Sequence, residues 1–247
     1  MASGTTAQFA PYHKWDRNFF LLYVILIWFG VLNGFVPEIL DHMHGSAPPY
    51  PLILHIHAVA FVGWLVVLTV QVLFIRRSQH DLHRRFGLAA MALAAAMVVI
   101  GPLTAFAMQN YHWGTPDSDP AFLAIQLTDI IIFAGLVAAA FLLRGDPSAH
   151  KRLILLATLH ISNAGFARFL GDAIHHFAGD SLLGYMAALY NANLLVLGMG
   201  VYDLITRRRL HPIYIPAVIW MLAWQLTAAL LDHAPWWKEF ATHLIGH

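Results

Sequence analysis

A carboxylate and an imidazole lie in the middle of long apolar segments, where a charged side chain is costly. Asp129 lies nine residues past Pro120 and His160 lies eight residues past Arg152, so each would be roughly 12–14 Å deep in a membrane-spanning helix. A charge at the bilayer centre costs about 2.5–3.5 kcal/mol on insertion scales. We therefore expect Asp129 to face other helices and to pair with His160. Such a pair either relays protons or is a structural contact that holds two helices together.

Asparagines at a similar depth add polar groups near this pair. Asn163 follows His160 by three residues and shares its helical face. Asn191 and Asn193 reach a similar level on the next apolar segment. Ionisable and polar side chains within a membrane are functional candidates. We predict an intramembrane polar site that contains Asp129, Asn163 and Asn191.

Histidines within the apolar segments are candidate haem ligands. Haem iron takes one or two axial histidines that project between helices, and His57 with His160 is the best intramembrane pair. Their estimated depths differ by about 6 Å. His57 shares a face with Trp64, and Gly63 nearby would let a planar ligand approach. His55 lies about 200° around the helix from His57 and would face another helix or the adjoining loop. We predict haem b as cofactor, with His57, His160 and His55 as candidate ligands.

Most of the sixteen histidines fall on one side of the predicted membrane, near Glu38, Asp41 and Asp172. Imidazole and carboxylate groups are the ligands that zinc, copper and iron take in proteins. A transition metal ion is therefore the alternative cofactor. The chain contains no cysteine, which excludes thiolate metal sites and disulfides. The candidate metal ligands are His42, His44, His112, His175 and His176.

The composition requires membrane-spanning helices to position these residues. Hydrophobic residues make up 59% of the chain and charged residues 11%, against about 25% charged residues in a typical soluble domain. Seven apolar segments are long enough to span a bilayer as helices. They cover residues 19–36, 51–75, 86–108, 121–143, 153–169, 182–205 and 213–231. We predict a single all-α transmembrane domain over residues 1–247.

The positive charges predict how the seven segments are oriented in the membrane. All of the fourteen Lys and Arg residues except Arg168 and Lys238 lie on one side of the seven segments. The positive-inside rule makes that side cytoplasmic, so the amino terminus is inside and the carboxyl terminus outside. Residues 1–16 are then a cytoplasmic tail, and residues 233–247 are a periplasmic segment held at the interface by aromatic side chains. We expect a multi-pass protein of the bacterial inner (plasma) membrane.

Two stretches of the sequence match at an offset of 67 residues without gaps. The first runs from Phe74 to Ala90, and the second runs from Phe141 to Ala157. Each contains the end of one helix, a basic loop and the start of the next helix, so helices 2–3 and 4–5 are predicted to be repeated hairpins. Two such hairpins pack naturally as a central four-helix bundle. Convergence is the alternative, because every inner loop of such a protein needs basic residues.

The basic loops of these hairpins have two interpretations. Binding of anionic lipid headgroups, together with their role in setting topology, accounts for Arg84, Arg85, Lys151 and Arg152. A quinone headgroup or a phosphate is the alternative ligand. The expected partners are therefore the lipid bilayer, anionic lipids, and a quinone or another redox partner. We expect no nucleic-acid partner.

Part of the chain resembles a known pattern. The segment from His57 to Trp64, followed by Gln71, Arg77 and the run His83-Arg84-Arg85-Phe86-Gly87, resembles uncharacterised bacterial polytopic membrane proteins, as does His150-Lys151-Arg152-Leu153. These residues cover helices 2 to 5. A histidine two turns before a tryptophan is also faintly similar to b-type cytochrome and copper-resistance membrane domains. The similarity to cytochromes implies that His57 is an axial ligand.

Three classes of function remain open on the sequence alone. The leading hypothesis is a haem- or metal-binding electron-transfer protein, based on His57 and His160. The second is a metal-dependent membrane enzyme whose site opens outward through the histidines and carboxylates of the outer loops. The third is a proton-coupled transporter or accessory subunit, based on Asp129, His160 and the asparagines at mid-depth.

Overall fold

The computed structural model describes residues 9–46 and 48–247. Within these residues the chain forms nine α-helices and one 3₁₀ turn. The helices are α1 Asp16–His44, α2 Leu52–Arg76, α3 His80–His112, α4 Leu123–Leu142, α5 Pro147–Ala178, α6 Leu182–Leu189, α7 Asn193–Arg207, α8 Tyr214–Asp232 and α9 Pro235–Leu244, with the 3₁₀ turn Pro120–Phe122 before α4.

In the described residues, six helices are long and apolar enough to cross a membrane, namely α1 to α5 and α8. The pair α6 and α7 passes the same test together, which gives up to seven spans. These two helices meet at an angle of 77°. The all-α, multi-pass character of the chain is therefore confirmed, but the sixth predicted segment is two helices instead of one.

Helix α5 is the centre of the structure. It packs against α1, α4, α6, α7 and α8, and its leucines Leu153, Leu156 and Leu159 are fully buried. Helices α2 and α3 form a hairpin, and a hydrogen bond of 3.0 Å from Trp64 Nε1 to Thr158 Oγ1 joins α2 to α5. The core thus extends beyond the two predicted hairpins to include α1 and α8.

Glycines allow α1 and α5 to approach closely. A Cβ atom added to Gly34 would lie 2.1 Å from the carbonyl oxygen of Gly165, and one added to Gly165 would lie 2.8 Å from the Cα of Val31. Small residues at such crossings let helix backbones touch inside membranes. Gly34 and Gly165 therefore set the distance between the first helix and the central helix.

The basic segments gather at one end of the molecule, which we call the basic end: the starts of α1, α3 and α5 and the ends of α2, α4 and α7. Arg17 Nη2 donates to the Arg76 carbonyl at 3.0 Å, and Lys151 Nζ donates to Asp16 at 2.7 Å. These contacts join α1, α2 and α5. The carboxyl-terminal segment lies at the opposite end, where Trp237 of α9 donates to the Ala121 carbonyl at 3.0 Å.

Candidate functional site

Asp129 of α4 and His160 of α5 meet inside the helical core. The carboxylate Oδ1 lies 2.9 Å from the ring Nε2, as the depth estimate predicted. The His160 side chain is fully buried, and the Asp129 side chain is 22% exposed. Oδ1 lies off the axis of the ring N–H bond, so neither atom has a well-directed hydrogen bond among the described residues. The two groups are therefore in contact without being locked together.

The second ring nitrogen of His160 contacts an amide that was not predicted from the sequence. Gln225 Nε2 lies 3.3 Å from His160 Nδ1, and Gln225 is fully buried on α8. Its Oε1 accepts a hydrogen bond of 2.9 Å from Asn193 Nδ2, at the first residue of α7. The sequence signal that could have indicated this contact is a glutamine halfway along an apolar segment. His160 thus has a polar neighbour at each ring nitrogen.

Asparagine side chains hold the break between α6 and α7. Asn163 Oδ1 accepts from the backbone N–H of Ala192 at 3.0 Å. Asn191 Nδ2 donates to the Phe166 carbonyl at 3.0 Å. Unpaired backbone groups at membrane depth cost several kcal/mol, so non-helical backbone there requires protein partners. The asparagines predicted as intramembrane polar residues supply those partners, which explains how the chain bends 77° at this point.

Several buried polar atoms around the break have no hydrogen-bond partner among the described residues. They include Asn163 Nδ2, Asn191 Oδ1 and the Tyr190 hydroxyl, on side chains of residues that are 2%, 6% and 2% exposed. The Tyr190 ring stacks on His160 with centroids 6.0 Å apart. Each unsatisfied group costs about 1–3 kcal/mol. Buried polar groups without partners call for an explanation, and a functional role beside His160 is one such explanation.

Ionisable groups lead from this cluster to the end of the molecule opposite the basic end. The Tyr185 hydroxyl donates to Asp232 Oδ2 at 2.8 Å, where α8 ends. Asp129 is partly exposed, whereas His160 is fully buried.

Buried ion pairs lie at the basic end. Arg152 and Asp203 are both fully buried, and Arg152 Nε donates to Asp203 Oδ2 at 2.9 Å. Asp16 accepts from Lys151 at 2.7 Å and from Arg207 at 2.8 Å. Arg152 and Arg207 therefore face protein carboxylates instead of the lipid headgroups that the sequence analysis assigned to the basic loops. Arg84, Arg85, Arg208 and Arg209 are exposed at this end, as are Arg17, Arg77 and Arg144.

A neutral histidine lies beside these ion pairs, in the loop between α7 and α8. The His211 backbone N–H points to Asp203 at 3.4 Å. Burial, reinforced by the neighbouring Arg152 guanidinium, lowers the pKa of His211 to about 4. His211 is therefore uncharged at neutral pH and adds no positive charge to the cluster.

The two other predicted cofactor ligands differ in their surroundings. The His57 ring stacks on Phe61 with centroids 3.9 Å apart. Its Nδ1 is buried and has no hydrogen-bond partner in the described part of the chain. His55 is exposed. The ring nitrogens of His160 face Asp129 and Gln225, so neither is directed at His57.

The predicted metal ligands are spread over separate contacts. His42 stacks on Tyr50 with centroids 3.7 Å apart, and His112 lies edge-on to Tyr111. His175 lies 3.1 Å from Asp180, His176 lies edge-on to Phe177, and His44 is exposed. Across residues 9–46 and 48–247, no three or more His, Asp or Glu side chains are grouped so that they could hold a metal ion.

Comparisons with known proteins give no relative from which a function could be transferred. No protein-family model matches the chain, and no curated protein or solved structure matches it.

Proposed function

We propose that this protein translocates protons across a membrane, as a proton-coupled transporter does, with Asp129 and His160 as its proton-binding pair. The observation that carries the proposal is the 2.9 Å contact between these groups beside the break of α6 and α7. Ionisable residues at membrane depth are typical of proton relays, and broken helices at the midplane are typical of transporter binding sites.

The two ends of the molecule support a directional route. Asp232 and Tyr185, hydrogen-bonded at 2.8 Å, and Tyr190, which stacks on His160, would give the pair access to the end opposite the basic end. The Arg152–Asp203 and Asp16 ion pairs separate the pair from the basic end. Passage of a proton therefore requires a conformational change, and the α6–α7 break is the element best placed to provide it.

The membrane context of the proposal comes from the charge pattern. Seven spans with the basic end in the cytoplasm would place the amino terminus inside and the carboxyl terminus outside. The α2–α3 and α4–α5 hairpins would then form a parallel repeat in a bacterial inner membrane. In that orientation, protons would enter from the periplasm.

Replacing Asp129 by Asn tests the proposal. The full-length protein would be reconstituted in vesicles of phosphatidylethanolamine and phosphatidylglycerol, with a pH dye inside and a potassium diffusion potential to drive protons inward. We expect the wild type to acidify the vesicles. We expect Asp129→Asn and His160→Gln to lose about 100-fold of the rate, since a positioned proton-transfer group contributes about 10²–10⁴-fold.

The matched control removes a carboxylate outside the site. Asp172 is exposed on the central helix α5, so Asp172→Asn should keep the wild-type rate. The proposal fails if the wild type acidifies vesicles no faster than protein-free vesicles, or if Asp129→Asn is as active as the wild type.

A haem-bearing electron-transfer protein is the second candidate, and His57 is the residue that favours it. A buried imidazole nitrogen without a hydrogen-bond partner has the chemistry of an axial iron ligand. His160 fits that role less well because Asp129 and Gln225 face its two nitrogens.

The test of this second candidate is a reduced-minus-oxidised absorption spectrum of protein expressed with ample haem. A Soret band that disappears in His57→Leu, with His55→Leu as the exposed control, would support it. A wild-type spectrum without such a band contradicts it.

A further inference from the structure

The hydrogen bonds around His160 select one form of the ring. The Gln225 and Asn193 amides form a reciprocal pair, in which Asn193 Nδ2 donates to Gln225 Oε1 at 2.9 Å and Gln225 Nε2 donates to Asn193 Oδ1 at 3.3 Å. The same Gln225 nitrogen lies 3.3 Å from His160 Nδ1. An amide nitrogen only donates, and a neutral imidazole has one donor and one acceptor nitrogen. Nδ1 must therefore accept, and the ring proton belongs on Nε2, next to Asp129.

From this geometry we infer that Gln225 and Asn193 form an amide relay, which holds neutral His160 with its proton on Nε2 and links its protonation to the start of α7. The inference rests on the proposed role of His160 as a proton-binding group. The titratable groups that face the ring are Asp129 from α4 and Tyr190 from the end of α6. The groups from α7 and α8 are the two neutral amides.

A second proton on His160 disturbs this arrangement. In the imidazolium both ring nitrogens donate, so Nδ1–H would oppose the N–H of Gln225. The Gln225 amide must then turn its Oε1 to the ring, which removes the acceptor of Asn193 Nδ2. Gln225 Nε2 also donates to Asn193 Oδ1 at 3.3 Å, so both bonds between the amides are restored only if the Asn193 amide turns together with that of Gln225.

The position of Asn193 connects this change to the break between α6 and α7. Asn193 is the first residue of α7, directly after the break at residues 190–192. The backbone N–H of Ala192 is held by Asn163, one turn from His160 on α5. Protonation of the ring therefore turns the Asn193 amide at the start of α7, while Asn163 of α5 holds the backbone at Ala192. Gln225 and Asn193 are positioning residues that act through His160.

Nitrogen-15 NMR of histidine-labelled, full-length protein in lipid nanodiscs tests the relay. The His160 signals are assigned by their absence in His160→Gln, and the spectra are taken at a pH where the ring is neutral. We expect the wild type to carry its proton on Nε2 alone. Gln225→Leu removes the donor to Nδ1, so both tautomers should appear.

Asn193→Asp provides the sharpest test, since residue 193 does not need to touch the ring. A carboxylate only accepts, so Gln225 must offer it the amide N–H and turn Oε1 toward His160. We expect the proton to move from Nε2 to Nδ1. The Asn193→Leu side chain has no hydrogen-bonding group to orient the Gln225 amide, so this variant should give a mixture of tautomers.

The relay is overturned if the wild type carries its proton on Nδ1, or if Asn193→Asp and Gln225→Leu both keep the wild-type tautomer. If a variant does not fold, the tautomer of the wild type is sufficient to test the relay. The spectra do not depend on proton flux. A fixed Nε2–H tautomer in a protein without flux would therefore support the relay and reject the proposed function, and the reverse result would reject the relay alone.

Discussion

Replacing Arg152 by Met is expected to lower the free energy of unfolding by about 3 kcal/mol, near the lower end of the 3–5 kcal/mol typical when one partner of a buried ion pair is removed. The substitution leaves the Asp203 carboxylate fully buried without its main partner. Arg207 Nη1, at 3.7 Å from Asp203 Oδ1, compensates for part of the loss. Equilibrium unfolding in mixed micelles would measure the change.

An exposed arginine supplies the matched control for this prediction. Arg168 pairs with Glu38, and both side chains are nearly half exposed, so Arg168→Met should cost no more than about 1 kcal/mol. The double variant Arg152→Met with Asp203→Leu removes both buried charges and should recover most of the stability. Equal unfolding midpoints for Arg152→Met and Arg168→Met would contradict the assignment of this pair as buried and paired.

Replacing Gly34 by Ala is expected to destabilise the protein by about 3 kcal/mol, at the upper end of the usual cost of overpacking. The added methyl group would lie 2.1 Å from the Gly165 carbonyl oxygen, and backbone cannot move aside as a flexible side chain can. Helix α1 would have to withdraw from α5 along their whole contact. The same unfolding measurement would detect the loss.

Gly63 on α2 is the control for this effect. A Cβ atom there would meet only Leu93 Cδ2, at 3.9 Å, which is an ordinary contact. Gly63→Ala should therefore be neutral or stabilising, because alanine favours a helix by up to about 1 kcal/mol over glycine. The two alanine variants are expected to shift stability in opposite directions, and a loss of similar size in both would contradict the proposed α1–α5 crossing.

The sequence was sufficient to predict the contact between Asp129 and His160. A carboxylate in an apolar segment needs a partner, and counting residues from the segment ends placed only a few polar groups at its depth. The same counting could not reveal Gln225, because which face of α8 meets α5 depends on tertiary packing. Depth counting also could not distinguish a histidine that binds a cofactor from one that bonds to other side chains. The sequence therefore allowed His160 to be either a haem ligand or part of a proton site.

Local interactions explain the differences between the predicted and observed helices. Residues 182–205 are apolar enough to be predicted as one span. At the break, however, Asn191 donates to the Phe166 carbonyl and Asn163 accepts from the backbone N–H of Ala192. Such side-chain bonds to the backbone compete with the helical hydrogen-bond pattern. Charge counting assigned Arg152 to the membrane surface because its partner, Asp203, lies 51 residues away in the sequence. Such a pairing becomes visible only when α5 and α7 are placed side by side.

The order of the helices along the chain gives the Asp129–His160 contact a further consequence, for biosynthesis. The two residues lie on consecutive helices, α4 and α5, joined by the short connection at residues 143–146. The carboxylate can therefore meet its imidazole as soon as this hairpin enters the bilayer, before α6, α7 or α8 has been synthesised. Arg152 cannot pair with Asp203 until α7 has been synthesised, so the arginine lacks its buried partner while α5 is inserted.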